Sequence, residues 1–146
     1  YILRSDYNEA TKSFAPPYGV AGQARNNGWV AGVGTGARVT RPYQGCFVKN
    51  KQYVAENRDD VYDFYFCDNN NHCIRYLTPD GIIRTYAGRG TSSQAGDGNM
   101  WGTEDGDLRE VARFNSPTGI AYDEKSNTFY ILDTKGRKIR TISMEK

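Results

Sequence analysis

Apolar and polar positions along the chain alternate in short runs closed by Gly, Pro, Asn and Asp, with no stretch of sustained helical period. "GCFVKN" and "GIAYD" are brief apolar runs entered from Pro and Gly. "VYDFYFCD" and "TFYILD" are aromatic and β-branched, and "CIRYL", "KIRTI" and "GIIRTYAG" alternate. The connectors "DNNNH", "TPDG" and "EKSN" are clusters of the residues that make tight reversals. The pattern predicts units of four antiparallel strands, a to d, and an all-β chain without helix. In strand b, Phe64 and Phe66 fall on one side and Tyr65 and Cys67 on the other, so the strand must be covered from two directions. A sheet stacked between two like sheets does that.

The units repeat. "DFYFCDNNNHCIRYL", residues 63 to 77, aligns with "TFYILDTKGRKIRTI", residues 128 to 142. Phe64 meets Phe129, Asp68 meets Asp133, Ile74 meets Ile139 and Arg75 meets Arg140, while Leu132, Arg137 and Lys138 stand where the first copy has Cys67, His72 and Cys73. Neither thiol nor imidazole is therefore needed to build the unit. Upstream of each copy, Ala37-Arg38-Val39 matches Ala112-Arg113-Phe114, Pro42 matches Pro117 and Gly45 matches Gly119. A unit of roughly 65 residues recurs about two and a half times, and such units bury their apolar faces against neighbours.

Composition narrows the class of partner. The 146 residues, 38% hydrophobic and 25% charged, suit a folded domain. The net charge of +2 is spread without a single-sign run, which argues against nucleic acid as a partner, and no stretch has the apolar length of a membrane span.

The order "ARFNSPTGIAYD", then "FYILDTKGRKIRTI", with "TYAGRG" closing the unit before, resembles the NHL-repeat β-propeller, in particular the C-terminal blades of secreted or surface proteins of Bacteroidetes. The resemblance implies a partial propeller: residues 1–21 as strands b to d of a first blade, 43–88 as a complete blade and 117–146 as strands a to c of a last one. Propellers close with about four to eight blades, so the remainder is expected in a longer chain or an oligomer. It further implies an extracellular, cell-surface or periplasmic location and a scaffold that hosts binding proteins and enzymes alike; the aromatic content of 13%, with 11 tyrosines, and the tryptophan-bearing loop insertion point to a non-enzymatic binding role toward carbohydrate or protein. The alternative is a metal-assisted hydrolase or lyase whose remaining ligands lie in other blades.

In an up-and-down sheet the d-to-a and b-to-c connections leave from the same face. The long loops 22–42 and 88–116 therefore share a rim with turns 68–72 and 133–137, and rims of this kind carry variable chemistry. Its candidate ligand-binding residues are Trp29, Asn70, His72, Arg89, Asp97 and Trp101. The competing reading of the two tryptophans is that they plug their own loops. "GDGNMWGTEDGD", residues 96 to 107, could offer oxygen ligands to calcium but lacks EF-hand spacing, and a structural Asp105-Gly106 turn is the simpler reading; no cofactor is expected. The single histidine cannot supply a multi-histidine zinc set. Arg38 and Arg113 are expected to reach Asp68 and Asp133. Cys67 and Cys73 flank a hairpin turn where facing Cα atoms of a non-hydrogen-bonded pair would lie within disulfide range, so they pair or else remain two buried thiols.

Overall fold

The computed structural model describes residues 1–89 and 101–143. Its strands are β1 (Ile2–Arg4), β2 (Tyr7–Asn8), β3 (Ser13–Phe14), β4 (Tyr18–Ala21), β5 (Gly32–Val33), β6 (Pro42–Lys49), β7 (Tyr62–Asp68), β8 (Cys73–Leu77), β9 (Ile82–Ala87), β10 (Pro117–Asp123), β11 (Thr128–Asp133) and β12 (Lys138–Ser143). A five-stranded antiparallel sheet runs β5-β9-β8-β7-β6, and a second sheet runs β10-β11-β12. β1 pairs with β4, and β2 with β3.

The two-sided burial predicted for strand b is present. On one face of β7, Tyr65 and Cys67 join Val48, Ile74, Phe129 and Ile131; on the other, Phe66 joins Leu77, Ile83, Ala21 and Val39. Each cluster removes whole aliphatic and aromatic side chains from water, at about 1.5–3 kcal/mol apiece.

Three details differ from the sequence reading. Residues 1–21 supply two laddered strands with the β2–β3 hairpin inserted between them. Ile2 faces Ala21 as Ile74 faces Ala87, and Leu3 faces Gly19 as Arg75 faces Thr85, so β1 and β4 correspond to β8 and β9. A five-residue helix, α1 (Lys51–Ala55), follows β6, capped by the Asn50 side chain accepting from the N–H groups of Gln52 and Tyr53. One helical turn is too short to show a period. Third, Gly45 does not correspond to Gly119. Gly45 faces Phe66 and Ile120 faces Ile131, and Phe66 matches Ile131, so the counterpart of Gly45 is Ile120. A Cβ at Gly45 would lie 2.4 Å from the Phe64 ring and 2.6 Å from the Tyr65 carbonyl oxygen, which explains the loss of the side chain there.

The repeat is also written in backbone conformation. His72 and Arg137 take left-handed φ values of 51° and 55° at the matching turns, and Arg41 and Ser116 take 57° and 56° before the matching first strands. Non-glycine residues adopt this region only where surrounding structure holds them there.

Candidate functional site

Each b-to-c turn is tied to the loop that precedes its sheet. The N–H of Asn69 donates to the Arg41 carbonyl (3.1 Å) and that of Asn70 to the Thr40 carbonyl (3.2 Å); in the second copy Lys135 donates to Asn115 (3.1 Å). The turns and the ends of these loops are thus joined, whereas the middle of loop 22–42 leaves them: β5 pairs with Ile82 and Ile83, and the Gly34 N–H donates to the Gly81 carbonyl (3.0 Å) at the far end of the sheet.

Beneath the rim, each copy holds a buried arginine–carboxylate clamp. Asp68 accepts from the Thr40 N–H (2.8 Å), the Asn71 side-chain amide (2.7 Å) and Arg75 Nη1 (3.1 Å). The same guanidinium donates to the backbone carbonyls of Val30 (2.9 Å) and Arg38. Both side chains of this ion pair are fully buried. In the second copy, Asp133 accepts from the Asn115 N–H (2.7 Å) and Arg140 Nη1 (3.2 Å), while Arg140 also donates to the carbonyls of Arg113 and Glu104 and to the Asp105 carboxylate. Burial pushes the Asp68 carboxyl upward, against the pull of Asn71, Arg75 and the Thr40 N–H.

The expectation for Arg38 is therefore corrected. Its guanidinium donates to the carbonyls of Thr35 and Ala37, and its own carbonyl receives Arg75. The reason is register: Asp68 faces Cys73, and Arg75, two residues on, lies on the same face one diagonal away. The signal was available in the sequence, since Asp and Arg recur seven residues apart in both hairpins, Asp68 with Arg75 and Asp133 with Arg140.

The same register removes the disulfide. Cys67 faces Ile74 and Cys73 faces Asp68, so the two sulfurs project from opposite faces of the sheet, and both thiols are free and buried. Cys46 is also free, half-buried, and its thiol is pushed up to about 11 by burial.

The candidate rim residues divide. His72 is half-buried and its Nδ1 accepts the Ser116 N–H (2.9 Å), linking one sheet to the loop of the next; burial, then Lys135, lower its basicity, while Asp133 raises it. Trp29 lies against β9, its indole N–H donating to Thr85 Oγ1 (2.8 Å) and the Arg109 guanidinium 5.9 Å from its ring, which is the plug geometry. Arg89 is half-buried just after β9, and Asn70 is exposed at the turn. Asp97 lies outside the described residues. Trp101 is 53% exposed. The Glu104 carboxylate and the Arg113 side chain close over the adjacent Gly102, where an added Cβ would meet them at 2.1 and 3.0 Å. An exposed indole can stack on an apolar ring face.

A second feature escaped the sequence reading. On the opposite edge of the sheets, a groove of about 930 Å³ is lined by Leu3, Tyr7, Phe14, Phe47, Tyr62 and Phe64 among others. Phe14 and Tyr7 pack with tilted rings at 5.0 Å on the inserted hairpin, and Phe47 meets Phe64 at 5.1 Å. Among the described residues, no group of three or more His, Cys, Asp or Glu side chains is arranged to hold a metal ion, and no helix is long and apolar enough to cross a membrane.

No family model matches the chain, and no curated protein does. Solved structures do. The chain is similar to an auxiliary nutrient binding protein from Bacteroides thetaiotaomicron, with 51% identity and a TM-score of 0.89, over 100% of this chain and 33% of that one. It is similar to an auxiliary nutrient binding protein from Bacteroides ovatus, with 50% identity and a TM-score of 0.86, over 99% of this chain and 32% of that one. A further Bacteroides thetaiotaomicron protein, carrying a provisional phosphatase name, shares 51% identity at a TM-score of 0.88, over 99% of this chain and 30% of that one. The chain spans about a third of the length of these structures. The described residues are nearly all β, in antiparallel sheets.

Proposed function

We propose that the chain is a ligand-binding segment of an NHL-type β-propeller, in which β1 with β4, the five-stranded sheet and β10–β12 belong to three successive blades. Its ligand is a carbohydrate or a protein, with carbohydrate the better fit, and its setting is extracellular, at the cell surface or periplasmic. The nutrient-binding role of two similar Bacteroides proteins supports a binding function for this chain. The observation that carries the choice of site is Trp101, 53% exposed and next in sequence to Gly102, which the Glu104 carboxylate approaches. A sugar ring offers an axial C–H face to the indole and hydroxyls to a carboxylate such as that of Glu104, and a flat apolar platform with a few polar groups suits small-ligand recognition. His72 and Trp29, both engaged in the scaffold, act on the site through loop position.

The test is a glycan array followed by calorimetric titration of the hits. The chain is expected to bind a defined oligosaccharide class, and Trp101→Ala to weaken that binding at least about tenfold, a loss of about 1.4 kcal/mol, while unfolding stability changes by less than about 1 kcal/mol. A large stability loss would make Trp101 a plug, and unchanged glycan binding would move the site elsewhere.

A further inference from the structure

A basic crevice of about 710 Å³ lies at the outer edge of β9, lined by Trp29, Val33, Tyr76, Arg84, Thr85 and Arg109 among others. It exists because β5 is short: its two residues pair with Ile82 and Ile83 and leave the edge of β9 beyond them without a partner strand. Two successive loops meet there. Trp29 of loop 22–42 is fixed by its indole N–H on Thr85 Oγ1 (2.8 Å). Arg109 of loop 88–116 donates to the carbonyls of Thr85 (3.3 Å) and Gly88 (3.2 Å), with its guanidinium 5.9 Å from the Trp29 ring. One wall is therefore held in place before any ligand arrives.

The charge of the crevice is unbalanced. Arg84 is exposed, and among the described residues its guanidinium has no hydrogen-bond or ion-pair partner. Arg109 meets carbonyl groups but no carboxylate; Asp107, two residues before it, accepts instead from the backbone N–H groups of Arg109 (3.0 Å) and Glu110 (2.9 Å). Among the described residues, no Asp or Glu lines the crevice.

The internal repeat supplies the comparison. By register, Arg4 and Tyr18 correspond to Tyr76 and Arg84. There, Asp6 pairs with Arg4 at 2.7 Å and accepts from the Tyr18 hydroxyl (3.3 Å), and Asp60 adds a second carboxylate to Arg4 at 3.2 Å. At the place of Asp6 the five-stranded sheet has Thr78, whose hydroxyl accepts from the Ile82 N–H (3.2 Å). The first copy thus neutralises its own cation, and the second does not. The position also stays open when a sheet packs alongside: Tyr18 is 49% exposed although the five-stranded sheet covers Ile2, Val20 and Ala21.

We propose that this crevice binds an acidic sugar, with its carboxylate or sulfate group held between Arg84 and Arg109. Guanidinium forks match both oxyanions, and two cations without a counter-charge raise the local concentration of anions. Val33 and the Trp29 ring offer apolar surface to the C–H face of the sugar, Tyr76 supplies a hydroxyl, and the volume lies within the range of small-ligand sites. The choice of a sugar rests on the carbohydrate reading proposed above; the preference for an anion rests on the arginines alone. The site is separate from Trp101.

The test is nuclear magnetic resonance titration of the isotope-labelled chain at low salt with glucuronate, glucose 6-sulfate, glucose and inorganic sulfate. At least one acidic sugar is expected to move the Trp29 indole N–H and the Arg84 and Arg109 Nε–H signals saturably, and added salt to weaken it. Saturation by glucuronate alone assigns a carboxylate ligand, and by glucose 6-sulfate alone a sulfated one. Arg84→Gln is expected to weaken binding at least about tenfold with the unfolding temperature and the free Trp29 signal unchanged, since Arg84 has no partner to lose. No saturable shift with either acidic sugar, equal binding of glucose, or binding indifferent to Arg84→Gln overturns the proposal. Inorganic sulfate binding as tightly as the acidic sugars also overturns it, because the crevice would then hold an ion without a sugar. Trp101→Ala is expected to leave these titrations unchanged. Failure here with Trp101-dependent glycan binding intact refutes the crevice alone, and acidic sugars bound here without glycan binding at Trp101 refute only the Trp101 site.

Discussion

Replacing Arg75 by Met probes the clamp on which the rim is built. Methionine keeps the length and apolar stem of the side chain and removes the guanidinium, which donates to Asp68 Oδ2, the Val30 carbonyl and the Arg38 carbonyl. Hydrogen bonds to charged groups are worth about 1.5–3 kcal/mol net, and removing one partner of a buried ion pair costs about 3–5 kcal/mol because the other charge stays in a dry site. Asp68 retains the Thr40 N–H and Asn71, and the wild-type Arg75 Nε is already buried without a partner, so we expect the lower part of that range, about 3–4 kcal/mol. The deficit should shrink as pH falls, because the carboxyl, already pushed up by burial, rises further once Arg75 is gone and protonation removes the stranded charge. Arg140→Met is the internal control. Its side chain is 9% exposed and its second carboxylate, Asp105, is 88% exposed, so about 1.5–2 kcal/mol is expected. Equilibrium urea unfolding reads both, and a double-mutant cycle with Asp68→Asn should return a coupling of about 1–3 kcal/mol. A loss below about 1 kcal/mol for Arg75→Met, or a larger one for Arg140→Met, would refute the reasoning.

Three further outcomes are expected. His72 has its basicity lowered by burial and then by Lys135, so the folded state binds a proton less readily than the unfolded chain. Stability is then complete above the ordinary histidine value of 6.5 and declines as pH drops below it, and His72→Asn, which tolerates the left-handed turn, should flatten that part of a stability–pH profile. Thiol titration in denaturant without reductant should count three free cysteines, and a reductant should leave the unfolding temperature unchanged; a count of one would restore the disulfide. Gly45→Ala should cost about 1–3 kcal/mol by driving a methyl into the Phe64 ring and the Tyr65 carbonyl, whereas Gly19→Ala, with open space around it, should cost far less by the same denaturation assay.

Strand periodicity and turn composition were enough to read the antiparallel order of β6 to β9 and the double-sided burial of β7, because these depend on local alternation; the fifth strand of that sheet, β5, is two residues long and gave no such signal. Register was not readable to one residue, which left the state of Cys67 and Cys73 open and misplaced one repeat match. The Cys67–Cys73 pairing needed them to face one another, and the pairing of Gly45 with Gly119 passed over a bulge that displaces the match to Ile120. The clamp was visible as a recurring Asp and Arg, yet assigning it to Arg38 requires knowing which side chains share a face. Trp29 and Trp101 look alike in sequence, yet Trp29 is held by Thr85 and Arg109 while Trp101 is 53% exposed. The apolar groove was illegible because it is assembled from segments far apart in the chain, Leu3, Phe47 and Leu77 among them.

The central claim, that Trp101 contacts the ligand, is most directly tested by its own fluorescence. The chain has two tryptophans, so Trp29→Phe leaves Trp101 as the sole indole reporter. Titration with an array-selected oligosaccharide should shift its emission to the blue and protect it from iodide quenching, with a midpoint equal to the calorimetric dissociation constant. Emission and quenching that stay unchanged while calorimetry shows saturation would place the ligand elsewhere and contradict the account.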